Sequence, residues 1–165
     1  MRVPYSFHKR LFFLISLILF VTGGCVGFNG SQKGIQLGPE IKMDWAEFGF
    51  FYYDEDGSIF FCESQNVPIK KNTFYGWRIH LITDKEKITW KEIFILPKPP
   101  RLWGYGKGTE IEDKGEVATT EKTVTPKNGW IGHGWFVAPD DPPGTYVMKI
   151  YIEGSLAKTF TFEIK

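Results

Sequence analysis

The sequence is short of the residues that build most recognisable sites. Its 165 residues include two cysteines and three histidines. Two cysteines could form at most one disulfide in an oxidising compartment and exclude a four-cysteine zinc site, and no Cys-x-x-Cys or His-x-His pair is present to seed a metal centre. No Gly-x-Ser-x-Gly elbow and no phosphate-binding glycine loop occurs either. Net charge is nearly absent as well: 20 basic against 19 acidic residues leave +1. Arg2, Lys9 and Arg10 belong to the extreme N-terminus, so the rest of the chain has no basic field for nucleic acid. The longest apolar run, residues 11–21, is short of the roughly 20 residues a spanning helix needs. Beyond residue 25 no stretch has helical period. These absences point to a protein without metal, cofactor or nucleic-acid partner, built from strands.

Aromatics are plentiful at 17%, which favours strands and broad packing surfaces. The clearest pattern closes the chain. Tyr146, Met148, Ile150 and Ile152 share one parity, and after the turn at Gly154-Ser155 so do Phe160, Phe162 and Ile164. Period two on both sides of a short Gly-containing turn predicts a β-hairpin with one buried face. A lone hairpin is marginal in water, so further sheet must cover that face.

Upstream, residues 41–52 form a first strand whose apolar parity changes from Ile41, Met43 and Trp45 to Phe48, Phe50 and Tyr52. The change beside Gly49 predicts a bulge there. Residues 54–57 are an acidic turn without the spacing of a calcium loop, and 58–63 a second strand. Val67-Pro68-Ile69 is edge-like, because Pro68 cannot donate to a central ladder. Residues 75–82 and 88–96 alternate cleanly, and Pro97-Lys98-Pro99-Pro100 ends the latter. Residues 116–125, polar on both parities, predict an exposed edge strand, and 130–137 a strand interrupted by Gly132 and Gly134. Seven to eight antiparallel strands separated by turns imply an all-β sandwich or barrel.

The N-terminus reads differently. A basic segment, the apolar run 11–21 and the small residues Gly23 and Gly24 before Cys25 describe an export signal. It resembles a bacterial lipoprotein signal, with Thr22 standing where an aliphatic residue is usual. That resemblance implies cleavage after residue 24, a diacylglyceryl group on the Cys25 sulfur, and a domain held outside the cytoplasm in the cell envelope. An uncleaved anchor and ordinary secretion remain open. The organisation is then a signal over 1–24, a Gly- and Ser-rich tether over 25–39 and a folded domain over 40–165.

Trp135-Phe136, Pro139, Pro143-Gly144-Thr145-Tyr146, Gly154 and Phe160 resemble the end of an immunoglobulin-like bacterial envelope domain. With the Glu47-Phe48-Gly49-Phe50 step, the span 41–165 is similar to a family of exported bacterial proteins without an established activity. The resemblance implies the immunoglobulin-like sandwich and carries over no catalytic residue.

Candidate chemistry is sparse. His133 between two glycines reads as a strand-end histidine, and Cys62 as a buried thiol outside any disulfide, the Cys25 sulfur being committed to lipid. The residue types enriched at binding hot spots gather in the loop 101–108 and near 130, so Arg101, Trp103, Tyr105 and Trp130 are the candidate binding residues. For Trp103 and Tyr105, core capping competes with exposure. The function expected is a non-enzymatic binding or assembly module of the envelope, contacting a protein or a saccharide. The alternative is a hydrolase-like enzyme with a site around the 101–108 and 130–134 loops.

Overall fold

Alternating apolar residues carry the chain into strands from the first segment described. The computed structural model describes residues 34–53, 59–103, 108–112, 114–138 and 140–165. The acidic turn and the expected signal segment lie outside these residues. In order, the strands are β1 (Ile35–Gly38), β2 (Ile41–Tyr53), β3 (Ile59–Glu63), β4 (Asn66–Val67), β5 (Phe74–Ile82) and β6 (Ile88–Ile95). They are followed by β7 (Thr109–Ile111), β8 (Val117–Val124), β9 (Trp130–Phe136), β10 (Gly144–Ile152) and β11 (Ser155–Ile164). Eight of these have five or more residues, in line with the seven to eight expected. β1, β4 and β7 are short additions at the margins.

Two sheets face each other. In the first, the long β2 pairs with β5, which pairs with β9, while β1 and β3 flank opposite ends of the other side of β2. The second runs β4-β11-β10-β6-β8-β7. All pairings are antiparallel except β4 with β11. β1 already contributes the buried Leu37, so the sheet begins at Ile35, inside the segment the sequence suggests as tether.

The closing hairpin is as its parity demands. All seven predicted core residues, from Tyr146 to Ile164, are buried, each gaining about 1.5–3 kcal/mol from burial. Phe162 stacks on Phe48 of the opposite sheet with ring centroids 4.2 Å apart. The turn itself is Glu153-Gly154, since Ile152 pairs with Ser155. Both turn residues have positive φ, the conformation whose twist matches flanking strands. Thr89 donates its backbone N–H to the Glu153 carboxylate at 2.9 Å, fixing a residue type unusual at that position.

Two local expectations are corrected. The bulge in β2 falls between Met43 and Trp45 in the β5 pairing, moving Trp45 outward and Ala46 and Phe48 inward. Gly49 answers to a different need: a Cβ there would lie 2.0 Å from the Cys62 carbonyl oxygen. Nor is β8 an edge. It lies between β6 and β7, and the wholly buried Thr120 meets the Thr109 hydroxyl of β7 at 2.8 Å.

Candidate binding cleft and the aromatic outer face

A cleft of about 410 Å³ opens where β9 ends the smaller sheet. Trp103, Trp135, Leu102, Phe136 and Pro100 supply its apolar wall, and His133, Lys122 and Asp141 its polar groups. The Asp141 carboxyl is raised above the ordinary aspartate value by burial, opposed by the Ala138 N–H it accepts at 2.8 Å and reinforced by Asp140. Burial also raises Tyr75, with Asp141, Tyr146 and Glu92 adding to it, and raises Tyr146, with Asp141 adding to it. Both phenols therefore stay protonated. Tyr146 donates to the Pro142 carbonyl at 2.6 Å, tying the start of β10 to the turn before it.

Behind the cleft lies a carboxylate that the sequence reading passed over. Glu92 takes an inward position of β6 and is wholly buried. Trp77 donates its indole N–H to one oxygen at 2.5 Å, and Trp135 to the other at 2.8 Å. His133 Nδ1 sits 3.4 Å from both. A carboxyl group so far from water is tolerated only when its oxygens are hydrogen-bonded, and here two indoles and an imidazole from β5 and β9 engage them. His133 thus lies in the middle of β9 and not at a strand end. It packs on Trp90 and Trp135 and closes the Glu92 network. With both oxygens engaged and no exposure to solvent, the Glu92 carboxyl joins the two sheets.

The expected binding residues do not form one patch. Trp103 lines the cleft, but it is half-buried, packs on Phe94 and Trp135, and donates its indole N–H to the Gly115 carbonyl at 2.8 Å. Arg101 is exposed. Tyr105 lies outside the described residues. Trp130 is on the outer face of the first sheet, where the Arg78 guanidinium lies 4.7 Å from its ring and 4.3 Å from that of Phe61. Arg78 also pairs with Glu47. Beside it Phe61, Phe51, Phe74 and Phe136 form a ladder across four strands, with centroids 4.7–5.2 Å apart between neighbours. The signal for this ladder is the second apolar parity of β2, β3, β5 and β9.

Cys62 also departs from expectation. It is half-buried on β3, and its sulfur is in a disulfide, not free as a thiol. The other cysteine, Cys25, lies outside the described residues. Among the described residues no three His, Cys, Asp or Glu side chains gather in a way that could hold a metal ion.

Two sheets closed over one core, with a tyrosine at the start of a strand bonded back to the preceding turn, define an immunoglobulin-like β-sandwich. The chain belongs to the PM0630 beta sandwich domain family, whose match spans residues 46–165. Among solved structures, the immunoglobulin-like protein PA1606 from Pseudomonas aeruginosa superposes with a TM-score of 0.51 at 16% identity, covering 76% of this chain and 97% of its own. The soluble domain of PmoD from a Methylocystis species gives 0.34 at 13% identity, covering 82% and 100%. The alkylpurine DNA glycosylase AlkC from Pseudomonas fluorescens gives 0.35 at 8% identity, covering 73% and 30%. A search of the curated proteins finds no match. At such identities the likeness concerns the fold, and a sandwich hosts many functions.

Proposed function

We propose that the protein is a non-enzymatic binding or assembly module of the bacterial cell envelope. It engages its partner at the cleft beside β9, and its N-terminal signal exports it. The observation that carries this reading is the cleft itself. An open apolar wall of Leu102 at 73% exposure, with Phe136 at 65% on the rim shared with the outer face, stands over a Trp103–Trp135 floor, the arrangement of anchors expected of a contact surface. A protein partner fits better than a saccharide, because the exposed wall is aliphatic and phenyl and its polar groups are few. The enzyme alternative has Asp141 in its favour, a perturbed carboxyl in a cleft. The Asp141 oxygen already accepts Ala138 N–H, and the one nearby histidine is held by Glu92, so no base–nucleophile pair is assembled.

Anchoring through a lipid on Cys25, which the signal-like N-terminus supports, is a form in which that sulfur cannot also be joined to Cys62. The disulfide state of Cys62 favours a second reading, in which the chain is exported without lipid and its two cysteines are joined. The joined form requires an extracytoplasmic, oxidising compartment for that bond.

A photo-crosslinking side chain at position 102 tests the binding reading in envelope preparations. It should give a discrete adduct that unlabelled protein competes away, while the same group at exposed Ile82 gives none. Identical adducts from both positions, or none from either, would overturn it.

A further inference from the structure

β9 ends its sheet, and its free edge is chemically unlike an ordinary surface. Val137 donates to the Thr73 carbonyl and Leu81 to the Gly129 carbonyl, so in this register the odd-numbered residues of β9 exchange hydrogen bonds with β5. The even-numbered residues Gly132, Gly134 and Phe136 direct their N–H and C=O groups away from β5. Among the described residues nothing bonds to them. Native sheets usually blunt such an edge with proline, inward charge or a bulge. This one carries two glycines and a phenylalanine, and the glycines leave its backbone unobstructed.

The edge also separates two hollows. On the inner side lies the cleft lined by Trp103, Trp135 and Leu102. On the outer side a second groove, of about 560 Å³, is lined by Phe51, Phe74, Trp130 and Arg78. Gly134 and His133 line both. A strand added to β9 would send successive side chains alternately into one hollow and the other, since the side-chain period of a strand is two.

We infer that β9 binds an extended peptide segment of a partner protein by strand addition. Backbone hydrogen bonds to Gly132, Gly134 and Phe136 hold it, and apolar side chains fill the inner cleft and outer groove in turn. Charge selects the occupant further. Lys122 lines the inner cleft and Lys127 the outer groove, and neither is in an ion pair among the described residues. An acidic residue flanking the apolar core of the peptide complements them. A second copy adding its own β9 would instead bring like charges together. This inference rests on the binding reading and specifies the chemistry of the partner.

The test is amide hydrogen exchange by NMR on the intact domain, with a mixture of ten-residue peptides as probe. Each peptide carries a central run of consecutive Val, Ile, Phe or Tyr residues flanked by Glu, with Thr and Ser at its ends. The amides of Gly132, Gly134 and Phe136 should slow by tenfold or more on saturation, while those of His133 and Trp135, already paired with β5, stay unchanged. Methylating alternate peptide nitrogens in one register should abolish the protection, and in the other register leave it intact. Phe136→Pro, which removes one edge donor at a position where an edge strand tolerates proline, should weaken binding more than Phe136→Ala. Protection that depends on protein concentration without peptide would assign the edge to a second copy and overturn the inference. No protection at millimolar peptide would overturn it too. A cleft crosslink from position 102 without edge protection leaves the binding reading standing and removes this one. Loss of both removes both.

Discussion

Trp77 on one sheet donates its indole N–H to the carboxylate of Glu92 on the other, 2.5 Å away, at a point where neither residue is exposed to solvent. Together with Trp135 and His133, this bond makes a polar rivet through an apolar sandwich. A fully satisfied buried network fixes one arrangement of its neighbours, whereas a half-satisfied one is costly. The rivet also sets the cleft floor, because Trp135 and His133 line the cleft while bonding Glu92 behind it.

Removing the acceptor should therefore be severe. Glu92→Ala leaves two buried indole N–H groups and an imidazole without a partner, and we expect a loss of about 3–5 kcal/mol. Glu92→Gln keeps one carbonyl oxygen but turns an amide NH₂ toward another donor, and about 1–3 kcal/mol is expected. Urea unfolding followed by tryptophan fluorescence ranks the two. Equal stability of Glu92→Ala and the parent protein would show that the rivet does not hold the sheets.

The closing hairpin gives a second contrast. Phe162 is 2% exposed and stacks on Phe48, while Thr161, one residue away, faces solvent. Phe162→Ala should cost about 3–5 kcal/mol and Thr161→Ala under about 0.5 kcal/mol. Similar losses in a denaturant melt would contradict the parity assignment.

Parity made that hairpin readable, because one face is buried along its whole length. The same reasoning reached the strands, their order along the chain and the sandwich class. It misplaced features whose cause is long-range. The phase change in β2 was tied to Gly49, yet the structure uses that glycine to bring Cys62 close, and the bulge lies at Asp44. Glu92 stands at an inward position between Trp90 and Phe94, so its burial was legible. Its donors come from 15, 41 and 43 residues away, and no local pattern announces them. β8 read as an edge because Thr120 is polar, and only the Thr109 hydroxyl of β7 explains its burial.

Trp103 is the candidate site residue for which core capping competes with exposure. Phe94 and Trp135 cover the ring, and the Gly115 carbonyl takes its indole N–H, as capping requires. Because the ring is half-buried, Trp103→Ala should cost about 2–3 kcal/mol, below the range for a fully buried tryptophan. Leu102→Ala should cost under about 0.5 kcal/mol while reducing partner capture. Thermal melts of the two variants beside crosslinking yields separate the structural ring from the contact residue. Unchanged stability in Trp103→Ala would show that the loop packs less closely than its contacts imply.

The raised carboxyl of Asp141 makes a pH prediction with a definite sign. Burial favours its protonated form in the folded protein, so the folded state binds a proton that the unfolded chain releases more readily. Its contribution is most favourable below the ordinary aspartate value near 3.8 and is lost as pH rises through the higher folded value. Asp141→Asn retains an acceptor for Ala138 N–H without a charge. The variant should be more stable than the parent at neutral pH, and its advantage should shrink on acidification. Half-exposure of the group keeps the effect small. An advantage that grows as pH falls would reverse the assignment.

The last prediction concerns the two sulfurs. Cys25 can carry a diacylglyceryl thioether or join Cys62 in a disulfide, and one sulfur cannot do both. In an anchored form, fatty-acid label enters the protein through Cys25 and Cys25→Ala abolishes it. That form partitions with membranes, because more than one acyl chain, at about 0.8 kcal/mol per buried CH₂, gives stable anchoring. Cys62 would then be alkylated under denaturing conditions without prior reduction. The secreted, disulfide-joined form gives the opposite on every count: no lipid label, a soluble extracytoplasmic protein, and no cysteine alkylated until reductant is added. Its Cys25→Ala variant would expose a reactive Cys62 and lose the stabilisation of a closed loop, typically about 2–4 kcal/mol. Labelling and alkylation on the same sample decide between the forms. Label in parent and Cys25→Ala alike would sink the Cys25 anchor, whatever the state of Cys62.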